Sequence, residues 1–184
     1  MTANQAFGDL VVYDQRDGRF RASGDALLRE LRFAPSGCGI FSFCNALHAL
    51  NGCLPDAARI GQWAMRIGAY RPSERGTYRE ILYDNVEREF GEELGFRVVG
   101  HHYGTIADDR LVCHLQSGGT SVVHVPDHFL ALIGYDRQAA SYHVIESRVS
   151  LSRRLRRDSW VDADKLSSGP TCVDWYVLLE ARGR

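Results

Sequence analysis

Ser36-Gly37-Cys38-Gly39-Ile40-Phe41-Ser42-Phe43-Cys44-Asn45-Ala46-Leu47-His48-Ala49-Leu50-Asn51-Gly52 is the stretch from which the rest of the chain is read. Its apolar residues leave only Ser42, Asn45 and His48 as a thin polar stripe. A helix apolar on nearly every side is a buried helix. Ser36 is the expected N-cap, and Gly52 the expected C-terminal stop. Pro35 precedes a first turn on which one thiol, Cys38, stands between Gly37 and Gly39. Unpaired backbone N–H groups and the positive end of the helix dipole favour thiolate there. Flanking glycines leave room for a substrate backbone. A cysteine nucleophile needs this arrangement.

Moving outward, the N-terminal flank reads as a hairpin within residues 1–24, from the Leu10–Tyr13 run, the Asp17-Gly18 turn signal and Arg19–Arg21. Asp25–Leu31 reads as a helix. C-terminal to Gly52, Pro55 marks a first helical position and Ala57–Ile67 continues the helix with apolar residues at helical spacing. Arg71–Gly76 reads as a loop. Thr77-Tyr78-Arg79-Glu80 is a capping box that opens a helix running towards Gly95. The character then changes to strands: Phe96–Val99, Ser121–Val125, His128–Tyr135, Tyr142–Ile145 and Val173–Leu179, with one further helix after Thr105 and a short one near Leu166. Helices first and antiparallel strands afterwards define an α+β domain. The expectation is one domain over 1–184, with a helical half at 25–95 and a mainly antiparallel sheet half at 96–184.

The chain has 184 residues, enough for one sizeable core. Its net charge of −1 provides no field to draw it to nucleic acid or an anionic membrane. The basic run Arg153–Arg157 reads as a solvated loop or edge strand. The start of the chain lacks the basic and apolar regions of a signal peptide, and no run is long enough to span a bilayer; a cytoplasmic location is expected. Five cysteines at loose spacing argue against a disulfide framework, and no pair has the spacing of a structural zinc site. Cys44, Cys113 and Cys172, in apolar runs, read as core. His101-His102 lacks a third ligand, so no metal and no cofactor are expected.

His128 opens an apolar strand after the turn-prone Val125-Pro126-Asp127. Imidazole near neutral pH can take a thiol proton and keep the sulfur nucleophilic. His114 and His124 read as structural. A third group must orient the imidazole. Antiparallel pairing through the Asp136–Ser141 turn returns the end of the next strand, Glu146, towards His128. Asp127 is the weaker candidate, since a neighbouring strand residue points to the opposite face.

This combination resembles the papain-like cysteine peptidase superfamily. Within it the chain is most similar to the bacteriocin-processing (double-glycine leader) peptidases and their stand-alone relatives. The resemblance rests on Gly37-Cys38-Gly39 with the helix to Leu50, on His128–Asp136, and on Tyr142–Glu146, and it spans roughly residues 30–180. It implies a papain-like fold with Cys38 as nucleophile, His128 as general base and acid, and Glu146 where relatives carry Asp or Asn. Relatives place a Gln about six residues before the cysteine, as oxyanion donor; here that position is Arg32. The Cys38 N–H or Arg32 would then hold the oxyanion, with Gly37, Gly39 and Asp127 completing the candidate substrate contacts. The implied function is a thiol-dependent hydrolase, a cysteine peptidase or amidase acting through an acyl-enzyme. An acyl or peptidyl transferase using the same centre, and a weak or inactive binding module, are the alternatives. The expected partner is a peptide or amide substrate, which a second protein could carry. Specificity would lie in the loops Ala69–Gly76, Gly100–Gly104 and Ser147–Ser159.

Overall fold

Ten of the fourteen residues of helix α1 (Cys38–Asn51) are buried, and burial of this kind follows from a helix with no polar face to give to water. The computed structural model describes Tyr13 and residues 36–71, 76–106, 109–147 and 158–183. Helix α1 ends at Gly52, whose φ of 75° is left-handed and whose N–H donates to the His48 carbonyl. A side chain would have open space there, so the backbone conformation and not packing demands glycine. The start differs from expectation. The N-cap is Gly37, no side chain among the described residues caps the helix, and the Ser36 hydroxyl bonds the Tyr70 hydroxyl at 2.7 Å instead.

Helix α2 (Ala57–Arg66) starts two residues later than Pro55 suggests. Asp56 is its cap, because its carboxylate accepts from the N–H groups of Ala58 and Arg59 and a proline at that place supplies no acceptor. The Arg71–Gly76 segment was expected as a loop, but its ends form a two-stranded ribbon of β1 (Tyr70–Arg71) and β2 (Gly76–Thr77). Helix α3 (Arg79–Phe90) has Tyr78 at its N-cap and no side-chain cap. The Thr77–Glu80 capping box does not form, because the Thr77 side chain is pressed against Gly39 of α1.

The remaining chain builds a six-stranded antiparallel sheet in the order β3-β8-β4-β5-β6-β7. Its strands are β3 (Phe96–Tyr103), β4 (Thr120–Val125), β5 (His128–Asp136), β6 (Ser141–Ile145), β7 (Asp158–Asp162) and β8 (Trp175–Ala181). Helix α4 (Asp109–Gln116) lies between β3 and β4, and α5 (Ala163–Ser167) follows β7. Residues 100–103, expected in a loop, continue β3 and pair with β8 beyond a register shift between Val98 and Gly100. The sheet is covered on both faces. Phe129, Ala131, Ile133, Val177 and Leu179 pack with α1, α2 and α3. Leu130, Leu132, Val144 and Leu178 pack with Leu111 and Leu115 of α4 and Leu166 of α5. Alternation along each strand therefore serves two cores.

Polar side chains of α1 tie it in place. Ser42 Oγ donates to the Phe129 carbonyl at 2.9 Å, and the Asn45 amide bonds the backbone N–H and carbonyl of Tyr13. Thr120 Oγ1 of β4 donates to the Ala46 carbonyl. The polar stripe of a buried helix is thus spent on tertiary hydrogen bonds, as buried polar groups must be. Two cysteines expected in the core are not there. Cys113 is exposed and Cys172 half-buried, because the apolar residues beside each of them take the inward positions. The hairpin within residues 1–24, the Asp25–Leu31 helix, Arg32 and the Arg153–Arg157 run lie outside the described residues.

Candidate active site

Three elements converge at one end of the sheet. Helix α1 presents Cys38 on its first turn, half-buried. Strand β5 begins at His128, which leaves a two-residue turn of Pro126 and Asp127. Strand β6 runs antiparallel to β5, pairing Ala131 with Ile145, and delivers Glu146 just beyond its end. The bond from Ser42 Oγ to the Phe129 carbonyl fixes α1 to the strand start. Ser42 lies one turn beyond Cys38, and Phe129 is the residue after His128, so this bond sets the helix end against the imidazole.

His128 Nε2 stands 2.9 Å from Glu146 Oε1, with both side chains about 95% buried (5% and 4% exposed). The carboxylate therefore faces the imidazole at ion-pair range. The Cys38 thiol stands beside the same imidazole, near enough to act on its protonation. With Nε2 turned to Glu146, Nδ1 is the nitrogen left for the thiol proton. Burial opposes protonation of this imidazole, but Cys38 and Glu146 outweigh it and push its pKa up to about 9. By contrast, burial pushes the Cys44 thiol far up, which makes it an inert core cysteine.

The other expected site residues fall differently. Gly37 and Gly39 are buried on either side of Cys38. A Cβ at Gly39 would come within 2.7 Å of Thr77 Oγ1, so this glycine is required by a close approach within the protein. Among the described residues no side chain caps this helix end, and its first-turn N–H groups lack intrahelical acceptors, which leaves the Cys38 N–H as a candidate oxyanion donor. Asp127 is exposed in the turn with a φ of 61° and is not a strand residue, so the alternation used to place it does not apply. His114 is buried, with Nε2 between the carbonyls of Thr120 and Leu179, and His124 Nδ1 lies 2.7 Å from Asp174 Oδ1. His101 stacks on Trp175 and His102 on Tyr176. Among the described residues no group of three or more His, Cys, Asp or Glu side chains could hold a metal ion.

Ser42 is the contributor that periodicity alone did not reveal. A hydroxyl one turn beyond the thiol on an otherwise apolar helix was the available signal, and its partner is a backbone carbonyl that no sequence pattern marks.

The architecture, a helix bearing a thiol against an antiparallel sheet bearing an imidazole and a carboxylate, is an α+β fold of the papain-like kind. The peptidase domain of Streptococcus ComA, a bifunctional ABC transporter involved in quorum sensing, is similar in structure with a TM-score of 0.53, at 12% identity over 80% of this chain and 93% of that one. A double-glycine motif protease from an AMS/PCAT transporter, solved with its leader peptide, superposes with a TM-score of 0.45 at 11% identity over 78% of this chain and 84% of that one. No protein-family model and no curated protein sequence matches the chain. At such identity the likeness is one of fold.

Proposed function

We propose that this protein is a thiol-dependent hydrolase that cleaves a peptide or amide bond through an acyl-enzyme. The observation that carries the proposal is the convergence of Cys38, His128 and Glu146 at the uncapped start of α1. His128 takes the thiol proton at Nδ1, and the Cys38 sulfur forms a bond to the substrate carbonyl carbon as the carbonyl π electrons move to oxygen. The Cys38 N–H donates to that oxyanion, a contribution that typically amounts to about a hundred- to a thousand-fold in rate. Collapse expels the amine, which leaves with the proton from His128, and a thioester remains. Water then gives a proton to the neutral imidazole and attacks the thioester; the carboxylic acid departs and Cys38 recovers its proton. Throughout, the Glu146 carboxylate favours the imidazolium that forms twice in the cycle. The fold likeness to peptidase domains supports a peptide substrate.

The test is a peptide library incubated with the protein and with Cys38→Ala, read by mass spectrometry with and without added amines. New carboxylate and amine termini, produced only by the native protein, are expected. Products carrying the added amine in preference to water would replace hydrolysis by acyl transfer. Peptides retained on the protein without any cleavage would make it a binding module and overturn the proposal.

A further inference from the structure

We infer that the β1–β2 ribbon positions the nucleophile, with Thr77 as the positioning residue that fixes the first turn of α1; the inference rests on the hydrolase reading above. The ribbon touches the segment on both sides of Cys38. Before it, Tyr70 of β1 bonds Ser36 through the two hydroxyls at 2.7 Å, and a Cβ at Gly76 of β2 would meet the Ser36 carbonyl oxygen at 2.6 Å. After it, a Cβ at Gly39 would meet Oγ1, Cβ and Cγ2 of Thr77 at 2.7, 2.8 and 2.8 Å. Tyr70 and Thr77 are directly paired across the ribbon, so one cross-strand pair brackets the thiol. A further backbone bond, from the Tyr78 N–H to the Ala69 carbonyl at 2.8 Å, closes the ribbon behind it.

Two features show that these contacts are not incidental packing. Gly76 holds a φ of 78°, a left-handed conformation costly for other residues, while its α-carbon lies against Ser36. Thr77 has a sequence context that would let its hydroxyl cap α3, yet its buried Oγ1 has no hydrogen-bond partner among the described residues and lies against Gly39. An unpaired buried hydroxyl lowers stability. The side chain is therefore held in the place where it touches the nucleophile's turn and not where it would be best satisfied.

The consequence is mechanical. His128 is held by the sheet and by the Ser42 bond, while the turn carrying Cys38 has no capping side chain of its own. Its position relative to the imidazole is set from the ribbon together with the Ser42 bond. A displacement of about 1 Å between reacting groups can cost on the order of a hundred-fold in rate.

The experiment measures the rate of Cys38 alkylation by iodoacetamide, resolved from the other cysteines by peptide mass spectrometry, across a range of pH. Gly39→Ala places a methyl where Thr77 stands. It is expected to slow Cys38 alkylation at neutral pH by roughly ten- to a hundred-fold and to abolish the inflection near pH 9 at which His128 loses its proton. A loss of stability that leaves the variant folded would not remove that inflection, and far-UV circular dichroism verifies that it is folded. Adding Thr77→Gly, which vacates the space, is expected to restore most of the rate and the inflection, the signature of direct coupling in a double-mutant cycle. If Gly39→Ala does not fold, Thr77→Gly alone serves, since it removes the contact and is expected to slow Cys38 while leaving Cys113 unchanged. Single variants as fast as the native protein, or a double variant as slow as Gly39→Ala, would overturn the positioning role alone. Native Cys38 reacting no faster than exposed Cys113 would overturn the hydrolase reading and this inference together.

Discussion

An imidazole buried as deeply as His128 should shed its proton near neutral pH, because desolvation penalises the charged form. Cys38 and Glu146 reverse the sign and carry its pKa to about 9, above the ordinary value of 6.5. A pKa raised on folding stabilises the native state fully below pH 6.5, and that stability is lost as pH rises through 9. The shift is worth on the order of 3 kcal/mol. Glu146→Gln removes the charge that shares in it. Urea titrations should find this variant clearly less stable than the native protein at pH 6, with the gap narrowing towards pH 10. A gap independent of pH would show that Glu146 does not act on the imidazole's charge. Cys38, His128 and Glu146 were all readable in the sequence, from a thiol at a helix start and from the geometry of antiparallel return. Asp127 stands in the turn that the Val125-Pro126-Asp127 run signalled, so strand alternation gives no reason to rank it below Glu146.

At the scale of elements, α1 is joined to the sheet by two comparable buried bonds, Ser42 to the Phe129 carbonyl and Thr120 to the Ala46 carbonyl. Either Ser42→Ala or Thr120→Ala should cost about 1–2 kcal/mol in chemical unfolding. Only the Ser42 bond lies beside His128, so only Ser42→Ala should also slow Cys38 alkylation. Equal effects of the two on that rate would show that Ser42 is no more than a stability contact. Helix and strand identities followed from periodicity, and the stop at Gly52 from its left-handed preference. The caps did not follow. Ser36 and Thr77 both carry hydroxyls that local rules assign to helix starts, and both are diverted into contacts around Cys38 that only the tertiary structure creates. Two-residue strands such as β1 and β2 are too short to show a period.

Over the whole molecule, the sheet is a wall between two cores, with α1, α2 and α3 on one face and α4 and α5 on the other. Amides in α1 and in the central strands β8, β4 and β5 should exchange with solvent most slowly, and those of β7 at the sheet edge and of the β1–β2 ribbon much faster. Hydrogen exchange followed by mass spectrometry tests this; uniform protection across α1 and the ribbon would mean that they open as one unit. The α+β order of helices before strands was legible because the hydrophobic period changes near Phe96. The two-faced burial was less so, since β4 and β6 are buried almost throughout and their apolar runs do not say which side faces which helix. Among the described residues no helix is long and apolar enough to cross a membrane.

The nucleophilic role of Cys38 is tested most directly by the order in which the cysteines react. Cys113 is exposed on α4 and Cys38 is half-buried, so access alone favours Cys113. Timed treatment of the native protein with limiting iodoacetamide at pH 7, followed by peptide mapping, should label Cys38 first, and His128→Ala should remove that advantage. Labelling of Cys113 ahead of an unreactive Cys38 would contradict the account.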